Sequence, residues 1–163
     1  MTTELSGTLQ RLATPVLHHV AVQTEDLDNT VNWYTAFLGC ERTWTLEQFS
    51  ELTLTRLPGI RRLVELVLGS VRFHVFDRPA GGSSGLDAGA SQYQHLCFAV
   101  GSSAELVGWR ERWLALERSG RYAFAVVEEP SELVVDADGV ESFYCRDVNG
   151  LEFEFTWAPG EST

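Results

Sequence analysis

The chain contains no lysine. Its twelve basic residues are all arginine, and they face twenty-three Asp and Glu, giving a formal net charge of −11. Such a balance excludes a nucleic-acid surface, whose phosphates need clustered cations. It equally excludes adhesion to an anionic membrane face. No apolar run approaches the ~20 residues that cross a bilayer, and the first fifteen residues lack the basic-then-apolar order of a signal peptide. Cysteine is sparse. Cys40, Cys97 and Cys145 are too few and too scattered for a disulfide framework or a zinc ribbon. They read as reduced thiols in a cytoplasmic protein. At 163 residues the chain is expected to form one domain, with length enough for a real core.

Histidine is scarce too, with four in the chain, and their placement is informative. Residues 16–24 alternate as a strand, with His19, Ala21 and Gln23 on one face and His18, Val20 and Val22 on the other. A polar Thr24-Glu25-Asp26 start leads into a helical pattern of Leu27, Val31, Tyr34 and Leu38, which Gly39 stops. Residues 41–56 read as strand, then Leu57-Pro58-Gly59 breaks the pattern. Residues 62–68 and 71–76 read as two strands around a Gly69-Ser70 turn. A Gly- and Ser-rich stretch at 77–92 is expected to be a mobile loop at the mouth of a site. The order then restarts: a strand at 94–100, a helix from Ser102-Ser103 to about Glu117, and strands near 122–128, 141–146 and 151–157.

The chain thus reads as two copies of strand-helix-strand-strand-strand. Neither copy has enough core alone, so the two must share a barrel-like sheet. The parity of the last strand puts Leu151, Phe153, Phe155 and Trp157 on a packing face and Glu152, Glu154 and Thr156 opposite. His95 and Cys97 likewise oppose Leu96 and Phe98. His19 and His95 fall at equivalent places in the two copies. Two His and one carboxylate on the non-core faces of different strands make the facial set that leaves metal positions open for substrate and O2. Arg72 and Arg146 share parity with His74 and Tyr144, which makes them the candidates for anion binding. Trp109 and Trp113 read as helix packing, and Arg61-Arg62 as a solvated turn.

Leu17-His18-His19-Val20-Ala21-Val22, Trp33-Tyr34, Leu38-Gly39, His95 in its strand, and Asp147-Val148-Asn149-Gly150-Leu151-Glu152-Phe153-Glu154 resemble the vicinal oxygen chelate superfamily. The likeness runs from about residue 16 to 157. It implies an α+β fold of two βαβββ modules, about 16–76 and 93–157, forming a cupped, barrel-like mixed sheet around a metal site. It also implies His19, His95 and Glu154 as metal ligands. Glu154, four residues past the turn glycine, takes precedence over Glu152. His19 takes precedence over His18 by family position and by parity.

A fourth family position separates the chemistries. Glyoxalases and epimerases carry a Glu ligand five residues past a turn glycine. Counting from Gly69 places His74 there. Extradiol dioxygenases have a non-ligand, acid/base His near this place and a Tyr ten residues before the last ligand, which here is Tyr144. The resemblance therefore implies an Fe(II) extradiol dioxygenase acting on a catechol with O2, with His74 and Tyr144 as the working side chains. The small two-module enzymes that the chain resembles include the L-DOPA 2,3-dioxygenases, and Arg72 or Arg146 would then hold the amino-acid carboxylate. Two departures stand out. The His that opens the full extradiol signature is missing from 133–138, and the chain is half the length of the common four-module enzymes. A glyoxalase- or epimerase-type lyase or isomerase, and a bleomycin-binding protein, are the competing readings. The sequence leaves the oligomeric state open, a homodimer included.

Overall fold

The computed structural model describes residues 15, 17–79 and 94–160. Within them the order is β1 (Val20–Thr24), α1 (Leu27–Leu38), β2 (Glu41–Leu46), α2 (Glu51–Arg56), β3 (Arg62–Leu68) and β4 (Val71–Asp77). The second half runs β5 (Leu96–Ala99), α3 (Ser103–Arg118), β6 (Val134–Val135), β7 (Glu141–Arg146) and β8 (Glu152–Trp157). Two four-stranded mixed sheets result, ordered β1-β4-β3-β2 and β5-β8-β7-β6. In each, the first strand pairs parallel to the fourth, and the remaining pairs are antiparallel. This is the expected α+β repeat of two βαβββ modules. The sheets are cupped rather than closed into a barrel.

Two strand assignments change. The stretch 41–56 divides into β2 and the six-residue helix α2, whose N-cap Ser50 side chain accepts from Thr53 N. Leu52 and Leu54 alternate with threonines there and imitate a strand, yet α2 buries none of its residues. Residues 122–128 form no strand. Their backbone is tied to the β7–β8 turn by Ala125 N donating to Val148 O at 2.9 Å, and the short β6 takes the edge. Most of the 77–92 loop lies outside the described residues, and β4 itself extends to Asp77.

Helices α1 and α3 cover one face of the sheets and leave the other open. Helix α1 starts at Asp26, whose side chain accepts from Asn29 N, and ends at Gly39 in the left-handed region (φ 79). It buries Trp33, Tyr34, Phe37 and Leu38. These side chains meet Phe73 of their own module and also Phe153 and Phe155 of the other, with ring centroids 5.3–6.2 Å apart. One apolar cluster therefore spans both modules. Each such aromatic contributes about 1.5–3 kcal/mol by leaving water. Polar ties reinforce the junction. Asn29 Nδ2 donates to Ala123 O at 2.8 Å, and Ala123 N returns a bond to Asn29 Oδ1 at 3.1 Å. Tyr34 Oη donates to the fully buried Asp147 at 2.9 Å. Trp113 is buried as expected, and Arg61 and Arg62, solvated as expected, both pair with the buried Asp77. Among the described residues no helix is long and apolar enough to cross a membrane.

Candidate metal centre

The open faces carry His19, His74, His95 and Glu154. Strand register explains how. Ala21 of β1 pairs with His74 of β4, and Cys97 of β5 pairs with Glu154 of β8. His19 and His95 each lie two residues before the paired position, so side-chain alternation turns them to the same face as its partner. The fold thus builds two equivalent pairs, His19 with His74 and His95 with Glu154.

In the first pair the rings of His19 and His74 stack, with centroids 3.8 Å apart and planes 12° from parallel. His18, which parity set aside, joins them. Its Nδ1 lies 2.9 Å from His19 Nδ1. Ligand atoms of His18, His19 and His74 gather within 4.8 Å of one another, the one such group of three among the described residues. Burial, with His74 and His18 nearby, lowers the pKa of His19. The neutral ring keeps the lone pair that a metal needs.

Behind His74 stands Glu65 of β3, a buried carboxylate that the sequence reading overlooked. Its oxygens take Thr43 Oγ1 at 2.7 Å, Arg72 Nη1 at 3.1 Å from each oxygen, and His74 Nε2 at 3.1 Å. The Thr43 hydrogen bond, helped by His74 and Arg72 and opposed by burial, holds its pKa down at about 2. An ionised carboxylate only accepts, so His74 Nε2 carries the proton and Nδ1 offers a lone pair. Two signals pointed to Glu65. It is the one charge inside the apolar run Leu63-Val64-Glu65-Leu66-Val67, and it lies as far before the Gly69-Ser70 turn as His74 lies after it.

In the second pair His95 Nε2 lies 2.9 Å from Glu154 Oε2. Two donors at right angles on an ion about 2.1 Å away stand about 3 Å apart, so this spacing suits a shared metal. The imidazole and carboxylate donor set suits a divalent transition metal. Tyr144, opposite Glu154 on β7, donates to Glu154 Oε1 at 3.1 Å. Burial and then Glu154 raise its pKa, so it stays a protonated donor. Cys97 lies on the same face, its thiol pushed up to about 11 by burial and by Glu154.

A cavity of about 470 Å³ along β1 and β5 is lined by His19 and His95 together, one member of each pair. A second cavity of about 530 Å³ covers His19 and His74 under α2. The structure therefore joins His19 to His74, and His95 to Glu154 and Tyr144. It does not draw His19, His95 and Glu154 into one cluster within 4.8 Å. Both expected anion-binding arginines are engaged by acids. Arg72 is held by Glu65, while Arg146 donates to Glu128 at 2.7 Å and to Gly150 O at 3.2 Å.

Residues 16–155 match a family model described as Glyoxalase/Bleomycin resistance protein/Dioxygenase superfamily. No curated protein matches the chain by sequence. Among solved structures, a glyoxylase/bleomycin resistance protein/dioxygenase domain from Frankia sp. EAN1pec is 20% identical at TM-score 0.64, covering 90% of this chain and 99% of that one. A lactoylglutathione lyase from Agrobacterium tumefaciens is 23% identical at TM-score 0.57, covering 88% and 94%. The fosfomycin resistance protein FosX from Listeria monocytogenes, complexed with Mn(II) and sulfate, is 15% identical at TM-score 0.56, covering 91% and 96%. At these identities the likeness is one of fold.

Proposed function

The chain belongs to the Glyoxalase/Bleomycin resistance protein/Dioxygenase superfamily, and on that footing we propose that it is an Fe(II) extradiol dioxygenase that opens a catechol ring with O2, with L-DOPA as the substrate. The observation that carries this reading is the Glu65–His74 pair. His74 stands where the lyase-type relatives have a carboxylate ligand. A buried anion orients its imidazole, as an acid/base group requires.

His19, His95 and Glu154 would hold the ion, which when bound would bring catecholate and O2 side by side and pass electron density between them. The protein's own part is proton traffic and orientation. Glu65 accepts from His74 Nε2–H and so directs Nδ1 to take a proton from a substrate hydroxyl. The same carboxylate steadies the imidazolium that forms until the proton is returned. Tyr144 keeps its hydroxyl proton and donates a hydrogen bond to Glu154, which fixes that carboxylate's orientation. The hydroxyl is also placed to hydrogen-bond an oxygen of the reacting substrate.

Supplying Fe(II), O2 and L-DOPA, plain catechol or 2,3-dihydroxybiphenyl, while watching for a yellow ring-opened product, tests the proposal. Efficient cleavage of the biphenyl with none of L-DOPA sinks the substrate and leaves the dioxygenase. No O2 uptake with any catechol sinks both. One observation favours a second reading, a metal-dependent lyase or isomerase: the ligand atom of His74 lies within 4.8 Å of those of His18 and His19, close enough to serve as a ligand itself. A metal lost on replacing His74, with turnover of a glutathione thiohemiacetal instead of a catechol, would establish it.

A further inference from the structure

The cavity over His19 and His74 has an unusual lining for so acidic a protein. Its walls are Ala21 and Val22 on β1, Leu63 and Phe76 on the sheet floor, and Leu46, Phe49, Leu52 and Leu57 around α2. Among the described residues that line it there is no Asp or Glu, and there is one arginine, Arg56, at the last position of α2. Arg72, Arg146, Arg61, Arg62 and Arg110 are paired with carboxylates. Arg56 has no ion pair or side-chain hydrogen bond among the described residues. The helix that presents it buries nothing, so packing does not account for α2 being there.

A guanidinium without a counter-ion, at the rim of an apolar hollow with two imidazoles at its base, is a recognition group for an anion. We propose that Arg56 binds a carboxylate on the side arm of the ligand whose ring lies over His19 and His74, and that α2 makes the site selective for aromatic acids. The inference rests on the substrate reading above, to the extent that the same cavity must hold the ring. It gives to Arg56 the role that strand parity assigned to Arg72 or Arg146. The apolar walls would take the ring. The charge at the rim would set which end of the molecule points inward.

The test is binding by titration calorimetry to Zn(II)-loaded protein, which cannot turn over O2. Two ligand pairs are compared: 3-(3,4-dihydroxyphenyl)propanoate against its amide, and 3-phenylpropanoate against its amide. The wild-type chain is expected to bind each acid at least about 10-fold more tightly than its amide. Arg56→Gln should erase that preference, Arg56→Lys should keep part of it, and Arg118→Gln on α3 should leave it intact. Equal affinity for acid and amide in the wild type would overturn the proposal. So would a preference that survives Arg56→Gln, or no binding of any of the four ligands. An acid preference with no advantage for the diols would sink the catechol reading and leave Arg56 standing. A diol advantage with no acid preference would do the reverse.

Discussion

Glu65 and His74 show how much one side chain depends on the one behind it. Replacing His74 by Ala should lower catechol turnover roughly 10²–10⁴-fold, the scale of a lost acid/base group. Iron measured after purification should stay near the wild-type level, whereas its loss would make His74 a ligand. Glu65→Gln tests the orientation separately. Nitrogen-resolved NMR of the imidazole should show the Nε2–H form of His74 in the wild type and a mixture of tautomers in the variant. The carboxylate also ties stability to pH. Its folded pKa of about 2 lies below the ordinary 4.5, so its contribution is complete above pH 4.5 and fades as pH falls towards 2. Urea titrations across that window should show the wild type losing stability more steeply than Glu65→Gln. Parallel pH curves would contradict the ionised, bonded state of Glu65.

At the level of elements, the β7–β8 turn sets the position of Glu154. Asp147 is buried and accepts from Asn149 N at 2.9 Å, Leu151 N at 2.8 Å, Asn149 Nδ2 at 3.0 Å and Tyr34 Oη at 2.9 Å. Gly150 follows with φ 86, a conformation that side chains resist. Burial raises the pKa of Asp147 against the pull of these bonds. Asp147→Ala leaves the buried Tyr34 hydroxyl and three part-buried turn donors without their acceptor and should cost about 3 kcal/mol in urea unfolding. Metal affinity should fall with it, since the turn carries the Glu154 strand. The turn was legible in the sequence because Asp-x-Asn-Gly demands that geometry. Helix α2 was not legible. Its Leu-Thr-Leu-Thr alternation suits a strand as well as a helix, and only the chain's path between β2 and β3 selects between them.

Across the whole molecule, the two modules share one apolar cluster. Phe153 on β8 touches Trp33 and Tyr34 on α1 of the other module. Phe153→Ala should therefore cost about 3–5 kcal/mol. It should lower stability in both halves together, and thermal unfolding followed by far-ultraviolet circular dichroism should remain a single transition. Two separate transitions would show that each module carries its own core. The repeat and the parity of β1, β5 and β8 were determined by local alternation, and so were the identities of His19, His95, Glu154 and Tyr144 as open-face residues. Those features depend on neighbours a few residues away, which a sequence displays directly. Long-range approach decided the rest. Strand pairing brought Glu65 behind His74 and occupied Arg72, and a loop supplied Glu128 to occupy Arg146. The path of α2 left Arg56 as the cation over the cavity. An ion pair forms wherever the fold delivers two charges to one place, and no local periodicity encodes that delivery.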